Sequence, residues 1–196
     1  MSVSAALSLV RSQTRRQRYD QKKETAQRSN ISVCAVNFGC DENLGYLIRA
    51  AACFGVDTVH VIGNVPERKH LVPVSGSLID YVTIVQHSNP HNFLEMMRQQ
   101  NVSVVSAELT DIAVSVHDYE FDAERAVCIA VGNEHSGVPA EILHNSDVVY
   151  IPMPGVGFCL NTAQTANIML FEFNRQQNVR KASEHLCAGY GSPACR

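Results

Sequence analysis

Short apolar segments alternate with helix-forming segments along most of this chain, and that alternation limits the fold more than any other feature. Residues 31–38 and 126–132 are rich in β-branched and other apolar side chains, as buried strands are. Between them, residues 43–54 carry apolar side chains at helical spacing and end at a glycine. Strands that are apolar on both faces need cover on both faces. The sequence therefore predicts an α/β domain with a parallel sheet between two helical layers.

The other predicted elements continue the same order. The predicted strands cover residues 31–38, 57–63, 81–86, 102–107, 126–132 and 147–151. The predicted helices cover residues 43–54, 92–100, 139–144 and 161 to about 177. No element is predicted for the Pro/Gly/Ser-rich stretch up to residue 77 or for the polar stretch up to residue 124.

Composition places this chain among globular proteins of one domain. It has 196 residues, of which 45% are hydrophobic and 18% are charged. No apolar run approaches the roughly 18 residues that span a bilayer, so we expect no membrane protein. Seven cysteines and eight histidines lack metal-ligand spacing, which predicts reduced thiols, an intracellular protein and no metal site. We expect an N-terminal arm (1–30), a folded domain (31–180) and a flexible tail (181–196).

The arm and the domain carry opposite charge. Residues 1–30 have a net charge of +5, and the other 166 residues have a net charge of −8. A basic arm on an acidic domain favours a polyanionic partner, and the arm could equally be a solvated helix. Residues 1–19 lack acidic side chains and are rich in Ser and Arg, so an organellar targeting segment is an alternative to the cytoplasmic location that we expect.

The first segment with a functional signal is N-L-G-Y-L-I-R-A-A, residues 43–51, after the first predicted strand. Asn43 is predicted to be the N-cap of the helix. Gly45 and Arg49 lie four residues apart on one helix face. The missing side chain at Gly45 would leave room for a planar or anionic group beside the guanidinium. The alternative is an ordinary helix with a surface arginine.

The second segment is G-N-E-H-S-G-V-P, residues 132–139. It has the glycine spacing of a phosphate-binding loop but lacks the Lys-Ser/Thr that would follow in a P-loop. Ligands of parallel sheets bind beyond the carboxyl ends of the strands, and this segment lies at such an end. It therefore predicts a ligand-contacting turn around Glu134. The alternative is a plain connection with Glu134 in water.

The third segment is I-P-M-P-G-V-G-F-C-L-N-T-A, residues 151–163. Two prolines and two glycines within a few residues prevent regular structure. A helix is then predicted to begin at Asn161, whose first turn has free N–H groups. A rigid glycine-containing loop could hold a flat heteroaromatic ligand by its backbone, or it could be a mere connector.

In this order, the motifs N-x-G-x-x-x-R-x-A, G-N-E-x-x-G-V and I-P-M-x-G-x-x-x-[S]-L-N resemble those of the SpoU (TrmH-like) branch of the SPOUT RNA methyltransferases. The resemblance covers residues 31 to 174. It implies a parallel-sheet SPOUT fold with a C-terminal deep trefoil knot, and a homodimer. It also implies transfer of a methyl group from S-adenosylmethionine to a ribose 2′-hydroxyl in tRNA or rRNA.

The resemblance also assigns residues to the site. The positions that match catalytic or RNA-positioning residues are Asn43, Arg49, Glu134 and Asn161. The positions that match cofactor contacts are Ala107, Gly132, Ile151, Met153 and Leu160. The predicted contacts of the arm with RNA are Arg15, Arg16, Arg18 and Lys22. Cys159 stands where the family usually has serine, and its effect is left open because a thiol is a weaker hydrogen-bonding group.

Arg49 matches the essential arginine of the family. A guanidinium does not deprotonate in proteins, so Arg49 is a poor general base. We expect it to clamp an RNA phosphate bidentately and to orient the ribose hydroxyl, with the phosphate or water accepting the proton.

Two other functions compete with methyl transfer. One is a non-catalytic RNA-binding dimer, which the intact set of site residues argues against. The other is a nucleotide-binding oxidoreductase, although no G-x-G-x-x-G follows a strand here. We expect tRNA rather than rRNA, because the arm is the only RNA-binding element predicted outside the domain. The dimer is also favoured by a final helix that is apolar on more than one side.

Overall fold

Seven parallel strands form one sheet in the computed structural model, which describes residues 14–26, 28–122, 124–157 and 159–190. The strands are β1 Ile31–Val36, β2 Thr58–Ile62, β3 Thr83–His87, β4 Val102–Ala107, β5 Val114–Ser115, β6 Ala126–Val131 and β7 Asp147–Tyr150. Their order across the sheet is β3-β2-β1-β6-β4-β7-β5. The predicted parallel α/β fold is confirmed.

Helices cover both faces of this sheet. They are α1 Arg15–Thr25, α2 Asp41–Cys53, α3 Arg68–Ser75, α4 Pro90–Gln99, α5 Ala140–Leu143 and α6 Thr162–Tyr190, with a 3-10 helix at Gly76–Tyr81. Helices α2, α3 and α6 contribute to the core on one face, and α4 and α5 contribute to the core on the other. Among the described residues, no helix has both the length and the apolar character needed to cross a bilayer.

Alternate residues of the central strands fill the two cores. In β1, Val33 and Ala35 point to the α2 side, whereas Cys34 and Val36 point to the α4 side. All four side chains are fully buried. Burying a valine-sized side chain stabilises the fold by about 1.5–3 kcal/mol, so both faces of these strands contribute. This two-sided burial explains why the strands are apolar throughout rather than alternating.

Two stretches that were expected to lack regular elements do contain them. Helix α3 forms although Pro73 lies inside it, and it ends two residues later at Gly76, which has a φ of 62°. Proline removes one helical hydrogen bond, but burial of Leu71 and Ser75 against the domain compensates for it. The polar stretch contributes β5, a two-residue strand at the sheet edge.

Two helix ends differ from the prediction. Helix α2 begins at Asp41 with Cys40 as its N-cap, so the prediction that Asn43 caps the helix is wrong. The final helix was expected to end near Gln177, but it continues to Tyr190, because no glycine or proline interrupts it before Gly189. The flexibility of the tail stays a prediction, as do the domain boundaries and the trefoil knot. Residues 191–196 lie outside the described residues.

The arm forms a helix that docks on the domain through its own side chains. Thr14 and Gln17 form a capping box at the start of α1. The hydroxyl of Tyr81 donates a hydrogen bond of 2.6 Å to Asp20, and the ring of Tyr19 meets the Tyr81 ring edge-on at 6.0 Å. These contacts hold α1 beside the 3-10 helix although α1 buries none of its own residues.

Candidate active site

The carboxyl ends of four neighbouring strands form one edge of the sheet. Strands β1, β6, β4 and β7 are adjacent and parallel, so the segments that follow them meet at this edge. Ala107 at the end of β4 is paired with Val131 and with Val149. The register therefore places Ala107, Gly132 and Ile151, three of the predicted cofactor contacts, close together.

A chain of side-chain hydrogen bonds joins three of the four predicted catalytic residues across this edge. Asn161 donates from Nδ2 to Oδ1 of Asn43 at 2.8 Å, and Asn43 donates from Nδ2 to Oε1 of Glu134. Asn43 is only 6% exposed. Asn161 also accepts hydrogen bonds on Oδ1 from the N–H groups of Ala163 and Gln164, so it caps α6 as predicted. Residues from three distant segments are thus fixed relative to one another.

Glu134 is the anionic end of this chain of bonds. Its second oxygen, Oε2, accepts the backbone N–H of Gly39 at 2.8 Å. Partial burial opposes ionisation, but the hydrogen bonds from Gly39 and Asn43 outweigh it and hold the pKa of Glu134 below its ordinary value. Glu134 therefore does not simply point into water. It is an ionised carboxylate with both oxygens engaged.

The turn that carries Glu134 is rigid. Asn133 donates from Nδ2 to the carbonyl of Asn37 at 2.5 Å, and its Oδ1 accepts the N–H groups of His135 and Ser136. Asn133 and Gly137 also exchange two backbone hydrogen bonds. A Cβ at Gly132 would lie 2.2 Å from the carbonyl carbon of Gly137, so the turn closes only with glycine at that position.

Arg49 lies on α2 and has no acidic partner among the described residues. Its Nη1 donates to the carbonyl of Val74 at 3.2 Å, and the side chain is otherwise exposed. The expected space beside Gly45 does not exist, because a Cβ there would lie 2.9 Å from Cβ of Val74. Gly45 instead allows α3 to pack closely against α2. The prediction of an opening at Gly45 is wrong, and the free face of the guanidinium points elsewhere.

Two cavities border Arg49. The smaller cavity, of about 460 Å³, lies between α2 and the start of α6 and is also lined by Asn161. The larger cavity, of about 1030 Å³, lies between α1, α2 and α6 and is also lined by Lys22. The structure therefore brings Arg49 together with Asn161 on one side and with one predicted arm contact on the other. Arg15, Arg16 and Arg18 are exposed on α1 and line neither cavity.

The segment after β7 suits a ligand that binds backbone groups. Residues 152–157, 159 and 160 make no backbone hydrogen bond with the described chain. Unpaired backbone groups need a partner, and an adenine and an amino-acid group are suitable partners. Ile151 and Met153 are half-buried here, and Leu160 and Cys159 are exposed. The hydroxyls of Thr110 and Thr162, beside this edge, are buried without a hydrogen-bond partner in the described chain. These residues fit S-adenosylmethionine.

Several residues at the site were not predicted from the sequence. Gly39 and Asn37 follow β1 and bond to the turn that carries Glu134, and Asn133 holds that turn. Asn133 lies within the quoted G-N-E motif, so a signal for it existed. Gly39 and Asn37 act through backbone atoms, which leave no side-chain signal.

The chain matches a known family model over most of its length. The model of the SpoU rRNA Methylase family matches residues 30–171. The tRNA (guanosine(18)-2′-O)-methyltransferase of Escherichia coli (strain K12) is 26% identical over 149 residues, which are 76% of this chain and 64% of that protein. The chain thus spans a little under two thirds of the length of that relative.

Two solved structures show the same fold. The TrmH/SpoU tRNA modifying enzyme of A. aeolicus aligns with a TM-score of 0.74 at 23% identity, covering 85% of each chain. The AdoMet-bound rRNA methyltransferase from Sinorhizobium meliloti aligns with a TM-score of 0.64 at 25% identity, covering 76% of this chain and 57% of that one. The sheet and its helices therefore have the architecture of these methyltransferases.

Proposed function

Because the chain belongs to the SpoU methylase family, we propose that it transfers the methyl group of S-adenosylmethionine to a ribose 2′-hydroxyl of RNA. The observation that supports this proposal most is the bond chain Asn161–Asn43–Glu134 together with Arg49, which shares the smaller cavity with Asn161. The family match and the cofactor-bound relative point to the same chemistry.

S-adenosylmethionine, when bound, supplies a methyl group on a sulfonium, whose C–S bond breaks as the O–C bond forms and the 2′-hydroxyl loses its proton. The residues that would hold the cofactor are the backbone groups of residues 152–160 together with Ala107, Gly132 and Ile151. Because the donor is already activated, positioning of the hydroxyl supplies much of the rate.

Glu134 acts by positioning. Both its oxygens already accept hydrogen bonds, and its pKa is lowered, so it is a poor proton acceptor at neutral pH. It fixes the amide of Asn43, which in turn fixes Asn161 at the start of α6. Each member of this chain has one orientation, as a site preorganised for a transition state requires.

Arg49 supplies the positive charge beside Asn161. Its guanidinium uses one N–H on the carbonyl of Val74 and keeps the others for a ligand. A guanidinium fork binds phosphate bidentately, so Arg49 would hold the RNA backbone and set the position of the ribose hydroxyl. The phosphate or a water molecule would accept the proton.

The favoured RNA is tRNA, and rRNA is the alternative. The E. coli relative and the A. aeolicus structure are tRNA enzymes, whereas the S. meliloti structure is an rRNA methyltransferase. The exposed basic side chains of α1, on the side of the domain where Arg49 lies, suit contacts with an RNA backbone.

The protein would act as a homodimer. Phe171 on α6 is 61% exposed although it is a large apolar side chain, and it lines the larger cavity. A second copy of the chain packed on this face of α6 would bury it. The location of the protein stays a prediction, since residues 1–13 lie outside the described part of the chain.

The test is methyl transfer from labelled S-adenosylmethionine to purified tRNA and, separately, to rRNA. A 2′-O-methyl group blocks alkaline cleavage of the following phosphodiester, so label in alkali-resistant dinucleotides identifies ribose methylation. We expect such label in tRNA. Label that alkali releases as mononucleotides would contradict 2′-O transfer, and label in rRNA alone would contradict the choice of tRNA.

A further inference from the structure

The smaller cavity contains an aromatic ring and two amide side chains to which the proposed chemistry assigns no role. Tyr46 reaches it from α2 beside Arg49, and Gln164 and Asn167 reach it from α6 beside Asn161. Its volume of about 460 Å³ is within the size range of small-ligand pockets. It lies next to the point where the ribose hydroxyl must react.

Tyr46 is placed as an exposed stacking surface. It lies three residues before Arg49, so the two side chains share one face of α2. The ring is 51% exposed, whereas both chain neighbours, Gly45 and Leu47, are buried. Its hydroxyl bonds to no described residue. A ring held in this way beside a cation is suited to stack on another flat group.

The amides offer hydrogen-bonding groups to such a flat ligand. The side-chain amide of Gln164 bonds to no described residue. Asn167 donates from Nδ2 to the carbonyl of Ala163 at 3.0 Å, which leaves its Oδ1 available. Amide donors and acceptors match the edges of nucleobases. Arg49 is the single charged residue on the described cavity wall, and no carboxylate there would repel a nucleotide.

We propose that the smaller cavity binds the base of the target nucleotide, stacked on Tyr46 with its edge towards Gln164 and Asn167. This inference rests on the proposed RNA methylation. Enzymes that act on RNA commonly take a nucleotide out of the base stack and stack it on an aromatic side chain. With the phosphate on Arg49 and the ribose near Asn161, the attached base enters the cavity that Tyr46 borders.

The experiment compares Tyr46→Ala, Tyr46→Phe and a control, His91→Ala. His91 is an exposed ring on α4, which packs on the opposite face of the sheet. For each variant, kcat and KM of methyl transfer to tRNA, the Kd of S-adenosylmethionine and the sedimentation coefficient are measured. We expect Tyr46→Ala to raise the KM for tRNA about 5- to 150-fold, the effect of losing one base–aromatic stack. Tyr46→Phe and His91→Ala should stay near wild type, and the cofactor Kd should not change.

Each other outcome overturns a defined part of the account. An active wild type with an unchanged KM in Tyr46→Ala overturns the base site alone. An equal loss in Tyr46→Phe shows that the hydroxyl matters and overturns stacking. A smaller sedimentation coefficient for Tyr46→Ala places Tyr46 between two copies of the chain and also overturns the base site. No transfer by the wild type overturns the proposed function itself.

Discussion

Replacing Glu134 with glutamine should destabilise the protein and slow methyl transfer, although the two side chains have nearly the same shape. The first turn of α6 donates two N–H groups to Oδ1 of Asn161, so its Nδ2 must donate to Asn43. Asn43 must then donate from Nδ2 to Glu134, whose other oxygen accepts the N–H of Gly39. Every hydrogen bond in this chain has a fixed direction, and Glu134 must accept twice.

Glutamine can accept on only one of those two sides. Its NH₂ group would face a donor, either the N–H of Gly39 or the amide of Asn43, and one hydrogen bond to a charged group would disappear. Such bonds contribute about 1.5–3 kcal/mol, so we expect Glu134→Gln to lower the free energy of unfolding by about 2–3 kcal/mol. Turnover should fall as well, because Asn43 and Asn161 lose their fixed orientation.

The assay is urea unfolding at pH 7, with cofactor binding and methyl transfer measured on the same preparations. Glu120→Gln is the matched control, because Glu120 is exposed and makes no ion pair in the described chain. An unchanged m value would show that the midpoint reports stability. A loss below about 0.5 kcal/mol, the size of an ordinary surface substitution, would refute the directed chain of bonds.

The stability difference should also depend on pH. Because the folded-state pKa of Glu134 is lowered, the stabilisation is present above the ordinary carboxyl pKa and is lost as pH falls through the folded value. The gap between wild type and Glu134→Gln should therefore narrow below about pH 4.3, the ordinary pKa of a glutamate. A gap that is the same at pH 3 and at pH 7 would show that ionisation of Glu134 plays no part.

Three further predictions concern the arm, a buried histidine pair and the turn. Glutamine at the four arm positions should flatten the slope of log affinity for RNA against log salt by about one unit for each phosphate that the arm no longer neutralises, without changing cofactor affinity; a constant slope would exclude backbone binding by Arg15, Arg16, Arg18 and Lys22. Burial, with the nearby His87 at 3.0 Å, lowers the pKa of His60 to about 4, so stability should fall by about 3 kcal/mol as pH drops from 6.5 to 4, and His60→Phe should remove that dependence in pH-series unfolding. Gly132→Ala should lower stability and turnover together, because its Cβ would overlap the backbone of Gly137; a thermal melt like that of wild type would contradict the close packing.

The pattern of apolar residues predicts the sheet because each central strand is buried on both faces. Cys34 and Val36 face one core while Val33 and Ala35 face the other, and no polar residue interrupts the run. The pattern misses elements whose stability comes from neighbours. Helix α3 contains a proline and β5 has two residues, so neither has a local signal.

The candidate site could be located from its motifs, but its hydrogen bonds could not. Asn43 has the composition of an N-cap, yet the helix begins two residues earlier and the amide is used across the fold. Gly45 suggested an opening, and only tertiary contacts show that α3 fills it. Contacts between segments about 90 to 120 residues apart depend on strand order, which local sequence does not specify.

The central claim is that Arg49 holds the RNA phosphate for transfer and does not hold the fold or the cofactor. It is tested most directly by single-turnover transfer of a labelled methyl group to tRNA by Arg49→Ala and Arg49→Lys, beside cofactor titration of each variant. Arg49 is exposed and bonds to the chain only through the carbonyl of Val74, so folding and cofactor binding should survive. The transfer rate of Arg49→Ala should fall by at least about two orders of magnitude, and Arg49→Lys should recover little of it because an ammonium lacks the bidentate fork. Wild-type turnover in Arg49→Ala would contradict the account.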